Sequence, residues 1–493
     1  MANPRADAFA CRPAAPRCRI ILGLTKSENS SYLRWGAALV PGAALYFVPI
    51  PGLAPGQRHL LAIFAATIVA LVARPVPMGV SVFVAMTLTA LTGTVPASRV
   101  LSGFSNQIVW LIFSAFLFAR AISVTGFGMR VAYLLIRRFG SSSLRLGYST
   151  VISGLLLAPF VPSDTARGGG VVYPVTRSLA QAFDSEPGPT AGRIGSFLML
   201  VGFHGNYLAS AVFLTSMVSN PLIADFVLKI AGVKITWLGW LAGSCVPAAL
   251  SAALVPYLIY RWHPPEIRRT EAARAMAGER LREMGPMTAR ERRLVAILVV
   301  VMLGWVTSPW HGIPNAFVAL AGISAQLMAR VLEWSDLVSE TKAWDALMWF
   351  APLLMMADEL NTSGVVKLVS EALFAHVNGW PWPAGIAALA LVYMYVHYGF
   401  ASMTAQVMAL YPAFFAAALA TGAPPLIAAL PLAYFSNLNA GITHYGTGSA
   451  PVFFGAGYVA PATWWKIGFL VSLVNIAIWL GAGPLWWKTI GLW

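Results

Sequence analysis

The sequence predicts an all-α polytopic membrane protein built from two inverted repeats, each with a re-entrant hairpin and an interrupted helix. Three observations carry this. The first is composition. Of 493 residues, 58% are hydrophobic and 10% are charged, the balance of an integral membrane protein rather than a soluble enzyme. The second is the stretch Pro159-Phe160-Val161-Pro162-Ser163-Asp164-Thr165-Ala166-Arg167-Gly168-Gly169-Gly170. It lies between two apolar segments, and its prolines and glycines break any continuous helix. At membrane depth such backbone survives only where protein buries it or it lines a cavity. A charged residue there costs at least roughly 2.5–3.5 kcal/mol, so Asp164 and Arg167 are functional candidates. The third is repetition at an offset of about 230–240 residues. Ser163 to Tyr173 recurs as Ser402 to Tyr411, Trp110 to Gly126 as Trp349 to Gly364, and Ser219-Asn220-Pro221 as Gly448-Ser449-Ala450-Pro451.

Taken in order, residues 1–34 form a polar arginine-bearing tail without a signal peptide's apolar core, so a cytoplasmic arm is expected. Apolar segments follow near 36–50, 58–73, 78–95 and 107–125. The patch Arg130, Arg137, Arg138 and Arg145 has no acid near it in sequence and should face the cytoplasm. Residues 146–180 carry the broken hairpin. A segment near 194–218 is interrupted by Ser219-Asn220-Pro221, and a long one fills 237–260. Roughly ten to twelve spans of about 20 residues fit the apolar sequence.

Residues 261–293 hold nine arginines and five glutamates. They read as an amphipathic helix on the cytoplasmic surface, dividing the halves. A cytoplasmic linker between repeats implies an odd number of crossings in each, hence opposite orientations. Inverted repeats with broken helices meeting at the midplane describe a secondary transporter. The formal charge of +15 then belongs largely to the positive-inside bias, and no nucleic acid is expected as a partner. Cys11, Cys18 and Cys245 indicate neither a disulfide framework nor a zinc site. The 18 tryptophans are expected mostly as interfacial anchors. Arg120 is expected to pair with Asp358 or Glu359, and His444 to be a packed residue.

Other classes fit less well. His-Glu-x-x-His and Gly-x-Ser-x-Gly are both absent, which argues against a zinc protease or serine hydrolase. No cofactor and no metal site is expected. An anion channel would accept polar broken helices but not readily two separate tips closing on one site.

The segment Ser436-Asn437-Leu438-Asn439-Ala440-Gly441-Ile442-Thr443-His444-Tyr445-Gly446-Thr447-Gly448-Ser449-Ala450-Pro451 resembles a signature of the divalent anion/sodium symporter family. The first hairpin, Val161 to Gly170, is similar to the branch with bacterial citrate and tartrate exchangers and the plastid 2-oxoglutarate/malate translocator. The resemblance implies an elevator-type protein, a homodimer in a lipid bilayer, that carries small carboxylate anions. The scaffold would comprise 35–145 and 294–385, and the transport domain 146–260 and 386–493. A bacterial inner (cytoplasmic) membrane is expected ahead of a plastid envelope. The family's two Ser-Asn-Thr tips fall on Ser163, Asp164, Thr165 and on Ser402, Met403, Thr404, with Asn220, Pro221, Thr447 and Gly448 in the interrupted helices. Hydroxyls and free N–H groups at half-helix N-termini suit an anion.

Two departures bear on mechanism. Met403 offers no hard oxygen to sodium. The exchanger branch often carries a basic residue after Ser-x-Thr-Ala. Arg167 matches it, while the partner position is neutral Gln406. Cation-independent exchange of di- or tricarboxylates is therefore expected; sodium- or proton-coupled symport is the alternative. Asp164 replaces a neutral amide. It is either ionised beside Arg167 or, through burial, protonated and a donor.

Overall fold

The structure, a computed structural model, describes residues 34–493. The tail expected over 1–34, with Cys11 and Cys18, lies outside the described residues except for Arg34. Cys245 is a free, half-buried thiol. The described chain is helical, and its one β pairing is an isolated bridge between Ser142 and Arg269.

The two halves present the same elements in the same order. In the first, helix Gln107–Thr125 stops at Gly126, whose φ of 76° turns the chain into Phe127–Phe139. In the second, Thr341–Thr362 is followed by Gly364, at φ 88°, and then Val365–Ala375. A left-handed residue ends a helix without strain only where no Cβ is present. These are the glycines that repeat in the sequence.

Each half then makes a hairpin. The first arm Ser143–Leu157 tightens into the turn Ala158–Phe160. The chain turns at Val161-Pro162-Ser163 and returns as Asp164–Arg167, Gly168–Val172 and Tyr173–Ala182. The glycine triplet widens this return into a π-type turn, which absorbs the missing N–H of Pro174. The second hairpin runs Trp382–Tyr395, Val396–Gly399, then Met403–Ala420. A broken helix follows each hairpin: Gly195–Val212 with Ser219–Ala231, and Pro425–Leu438 with Ala450–Phe454.

Several expectations change. The first break falls at 213–218, so Ser219-Asn220-Pro221 opens the second half-helix rather than interrupting the first. Proline in a first turn gives up an N–H that would be unpaired anyway. Five described helices are by themselves long and apolar enough to cross a bilayer. Much of the remaining apolar sequence sits in broken pairs and in short helices such as Met78–Leu91 and Asn315–Met328.

Arg120 pairs with Asp336 at 3.0 Å, while Asp358 binds Lys229 at 2.7 Å and Glu359 binds Arg99 at 2.8 Å. Equivalent positions in two repeats need not touch. Arg130 does not belong to a solvated patch. It is buried and donates to Glu291 at 2.7 Å and to the Gly285 carbonyl at 2.9 Å. The linker helix Glu271–Glu283 packs through Ala273, Ala277 and Leu281, and its neighbour is Phe127–Phe139. Trp237, Trp240, Trp305, Trp464, Trp479 and Trp487 are fully buried rather than interfacial. Most of them donate the indole N–H inside the fold, as Trp240 does to the Ala211 carbonyl at 2.9 Å.

Candidate functional site between the hairpin tips

Both tips are built alike. Ser163 and Ser402 are extended N-cap residues, at φ −134° and −152°, ahead of the returning arms. Ser163 Oγ accepts from the Ala166 N–H at 3.2 Å, and Ser402 Oγ accepts from the Ala405 N–H at 3.3 Å. Each serine thus satisfies an orphan N–H with a lone pair. Its own hydroxyl proton stays free to donate.

The tips open on one cavity of about 210 Å³. Of the residues picked out in the sequence, Ser163, Asp164, Thr165, Ser402, Met403, Thr404, Thr447 and Gly448 line it. Arg167, Gln406, Asn220 and Pro221 do not. Arg74, Lys342, Asp345, Phe116 and Trp349 complete the wall from outside the hairpins. Of these five only Trp349 belongs to a repeated landmark, and it appears there as a mark of the repeat rather than of a site. Arg74 and Lys342 have the sequence appearance of ordinary positive charges at span ends.

Asp164 ties the two repeats together. Its Oδ2 accepts from the Thr447 hydroxyl and from Ser449 Oγ at 2.6 Å, and its Oδ1 accepts from Thr165 Oγ1 at 3.3 Å. The Thr165 and Thr447 protons therefore point at Asp164, leaving lone pairs for anything else in the cavity. Ser449 was missed in the sequence. The only signal for it was its place after Gly448 in the repeated break.

Arg167 makes no hydrogen bond or ion pair with Asp164, a pairing that the sequence left as one of two arrangements. It is fully buried behind the tip. Its Nε donates to Asn206 Oδ1 at 3.1 Å. Nη1 donates to the carbonyls of Val161 at 2.9 Å and Ser216 at 3.2 Å. Nη2 donates to the Asn206 carbonyl at 2.7 Å and to Ser210 Oγ at 2.6 Å. The guanidinium thus joins a carbonyl set free by the hairpin tip, on Val161, to one set free by the helix break, on Ser216, and to the helix between them through Asn206 and Ser210. Its five donors in a rigid fork suit that work. Asn220 does similar work. Its amide donates to the Ser210 and Phe213 carbonyls at 2.8 and 2.9 Å, and its oxygen accepts from Asn437 at 2.8 Å. Pro221 lines a different cavity with Gln107 and Asn315. His444 is packed as expected, accepting from the Trp465 indole N–H at 3.1 Å.

Residues 29–493 match the family described as the sodium:sulfate symporter transmembrane region. YflS of Bacillus subtilis (strain 168) is 45% identical, over 95% of this chain and 100% of that protein. The chloroplastic dicarboxylate transporter 1 of Arabidopsis thaliana is 43% identical, over 93% of this chain and 83% of its own length. An L-tartrate/succinate antiporter of Shigella sonnei (strain Ss046) is 31% identical, over 94% and 99%. Among solved structures, the YdaH transporter of Alcanivorax borkumensis superposes with a TM-score of 0.52 over 95% of this chain and 98% of its own. At 14% identity that likeness speaks for the fold alone. The chain belongs to the divalent anion/sodium symporter family and is an integral membrane transporter, not an enzyme.

Proposed function

We propose that the protein exchanges small carboxylate anions across a bacterial cytoplasmic membrane without a coupling cation. It would do so as a homodimer whose hairpin-bearing helices slide as an elevator against the remaining ones. The observation that carries the carboxylate reading is the shared cavity, where two capped tips face one space. Ser163 and Ser402 keep free hydroxyl protons, and each returning arm presents its N-terminus. Two such ends suit an anion with a carboxylate at each end. Arg74 and Lys342 in the wall supply positive charge. At about 210 Å³ the space is on the scale of a metabolite, below the ~300–1,000 Å³ of pockets for drug-sized ligands. Two of the relatives above are named for dicarboxylate transport or tartrate/succinate antiport, which agrees.

Counterflow in proteoliposomes loaded with succinate, malate, 2-oxoglutarate, citrate or tartrate tests the substrate class. Exchange is expected to proceed with choline in place of sodium, because Met403 stands where a sodium ligand would be expected. A strict, saturating sodium requirement would instead establish symport. Ser163→Ala, Thr165→Ala, Ser402→Ala and Thr404→Ala should each weaken apparent affinity about tenfold, the scale of one hydrogen bond to a charged group at roughly 1.5–3 kcal/mol. Thr165→Ala should do so through Asp164, whose Oδ1 it releases. Unchanged affinity in all four variants would place the site elsewhere.

A further inference from the structure

The second hairpin holds a fully buried histidine at the base of its tip. His397 lies in the turn Val396–Gly399. Its Nε2 is 2.8 Å from the Gly446 carbonyl, and its Nδ1 is 2.6 Å from Gln406 Oε1. A backbone carbonyl only accepts, so Nε2 carries a proton. The state of Nδ1 depends on which way the Gln406 amide points, and such amides are oriented by their hydrogen bonds. The far end of this amide settles the matter. Gln406 Nε2 is 2.6 Å from the Tyr393 carbonyl. Turning the amide over would press two oxygens together at that distance. Asn439 Nδ2 donates to the same Oε1 at 2.7 Å, consistent with this orientation. Nδ1 therefore faces an acceptor too. A ring with acceptors on both nitrogens donates from both only as the imidazolium.

We infer that His397 is a fixed imidazolium that gives the second hairpin the cation absent at position 406. Like Arg167, it joins a hairpin to the broken segment that follows, here through the carbonyl of Gly446. Gly446 precedes Thr447 and Gly448, both in the cavity wall. Buried His204 makes the contrast. Its Nδ1 meets the Tyr207 hydroxyl at 2.6 Å, a group able to donate, so no charge is needed there. The titratable groups near His397 are Tyr393, Tyr395 and Tyr398 on its own arm and His444 and Tyr445 on the facing segment; the Tyr445 hydroxyl donates to the Tyr398 carbonyl at 3.0 Å. Asp164 lies beyond Thr447. With Asp164 ionised, Arg167, His397 and Asp164 leave one net positive charge beside the cavity. That charge favours a substrate's second carboxylate over a neutral amide in its place.

The inference rests on the carboxylate reading for its consequence but not for the charge state, and the experiment separates them. Nitrogen-15 spectra of histidine-labelled protein at neutral pH, with His397→Gln assigning the signal among seven histidines, should show both ring nitrogens of His397 protonated. One unprotonated nitrogen overturns the inference and leaves the carboxylate reading standing. Succinate is then compared with succinamate in wild type, His397→Gln and His397→Lys. The preference for succinate should fall about tenfold in His397→Gln and return at least in part in His397→Lys. An unchanged preference in His397→Gln overturns the role in selectivity. Failure of wild type to take either compound, with both nitrogens protonated, counts against the carboxylate reading alone.

Discussion

Arg167→Ala is expected to abolish exchange and to lower the thermal midpoint of the purified protein by ~5 °C or more. The guanidinium meets five buried acceptors, on Val161, Asn206, Ser210 and Ser216. Alanine takes the donor from the Val161 and Ser216 carbonyls, Asn206 Oδ1 and Ser210 Oγ, and each buried polar group so stranded costs about 1–3 kcal/mol. The tip and the helix break would lose the group that holds them to each other. Arg167→Lys separates charge from geometry. An ammonium carries the charge but offers three donors at a single point, which cannot span acceptors spread around a plane. Lysine should therefore leave exchange at least tenfold below wild type. Near-normal exchange in Arg167→Lys would mean that charge alone matters at this position.

The second large effect is expected at Gly448. A Cβ added there would fall on Thr165 Oγ1 and lie 3.2 and 3.3 Å from Thr165 Cγ2 and Cβ. The break of one repeat and the tip of the other are closed against each other at this point. Gly448→Ala should cut exchange by about 100-fold, or ~2.7 kcal/mol, with a modest change in thermal midpoint. Overpacking of this kind typically costs about 1–3 kcal/mol. Thr165→Ala removes the atom in the way. The double variant Gly448→Ala/Thr165→Ala should therefore transport better than Gly448→Ala and close to Thr165→Ala alone. Losses that simply multiply would show that the two residues act independently.

The parts of this protein legible in its sequence are those that local chemistry dictates. Proline, glycine and Ser-x-Thr mark the tips because a helix must stop and be capped there, and the structure places Ser163 and Ser402 at matching caps. Gly126 and Gly364 were readable for the same reason. The partners of Arg167 were not. Three of the five are backbone carbonyls, two of them, on Val161 and Ser216, freed by chain breaks, and a carbonyl has no letter in the sequence. The Arg120 pairing failed for another reason. The repeat relates positions, whereas Asp336 reaches Arg120 from a short helix, Trp334–Ser339, with no counterpart in the repeated landmarks. Position 406 looked like a lost charge because only the residue at that position was compared. His397 lies nine residues earlier and meets the same amide.

The two charges of the first tip become satisfied at different times as the chain is made. Every partner of Arg167 lies within 49 residues of it, so its bonds can close once residue 216 has left the ribosome. The hydroxyls that hold Asp164 across the repeats, on Thr447 and Ser449, come 283 and 285 residues later. At roughly 5–20 residues per second, the stretch from residue 216 to residues 447 and 449 takes about 12–47 s of synthesis. Through this interval the first hairpin is internally bonded, while its carboxylate waits for the second half of the protein. Joining the halves at Asp164 is therefore a late step in biogenesis, and a chain truncated before residue 447 retains the arginine cage without its cross-repeat closure.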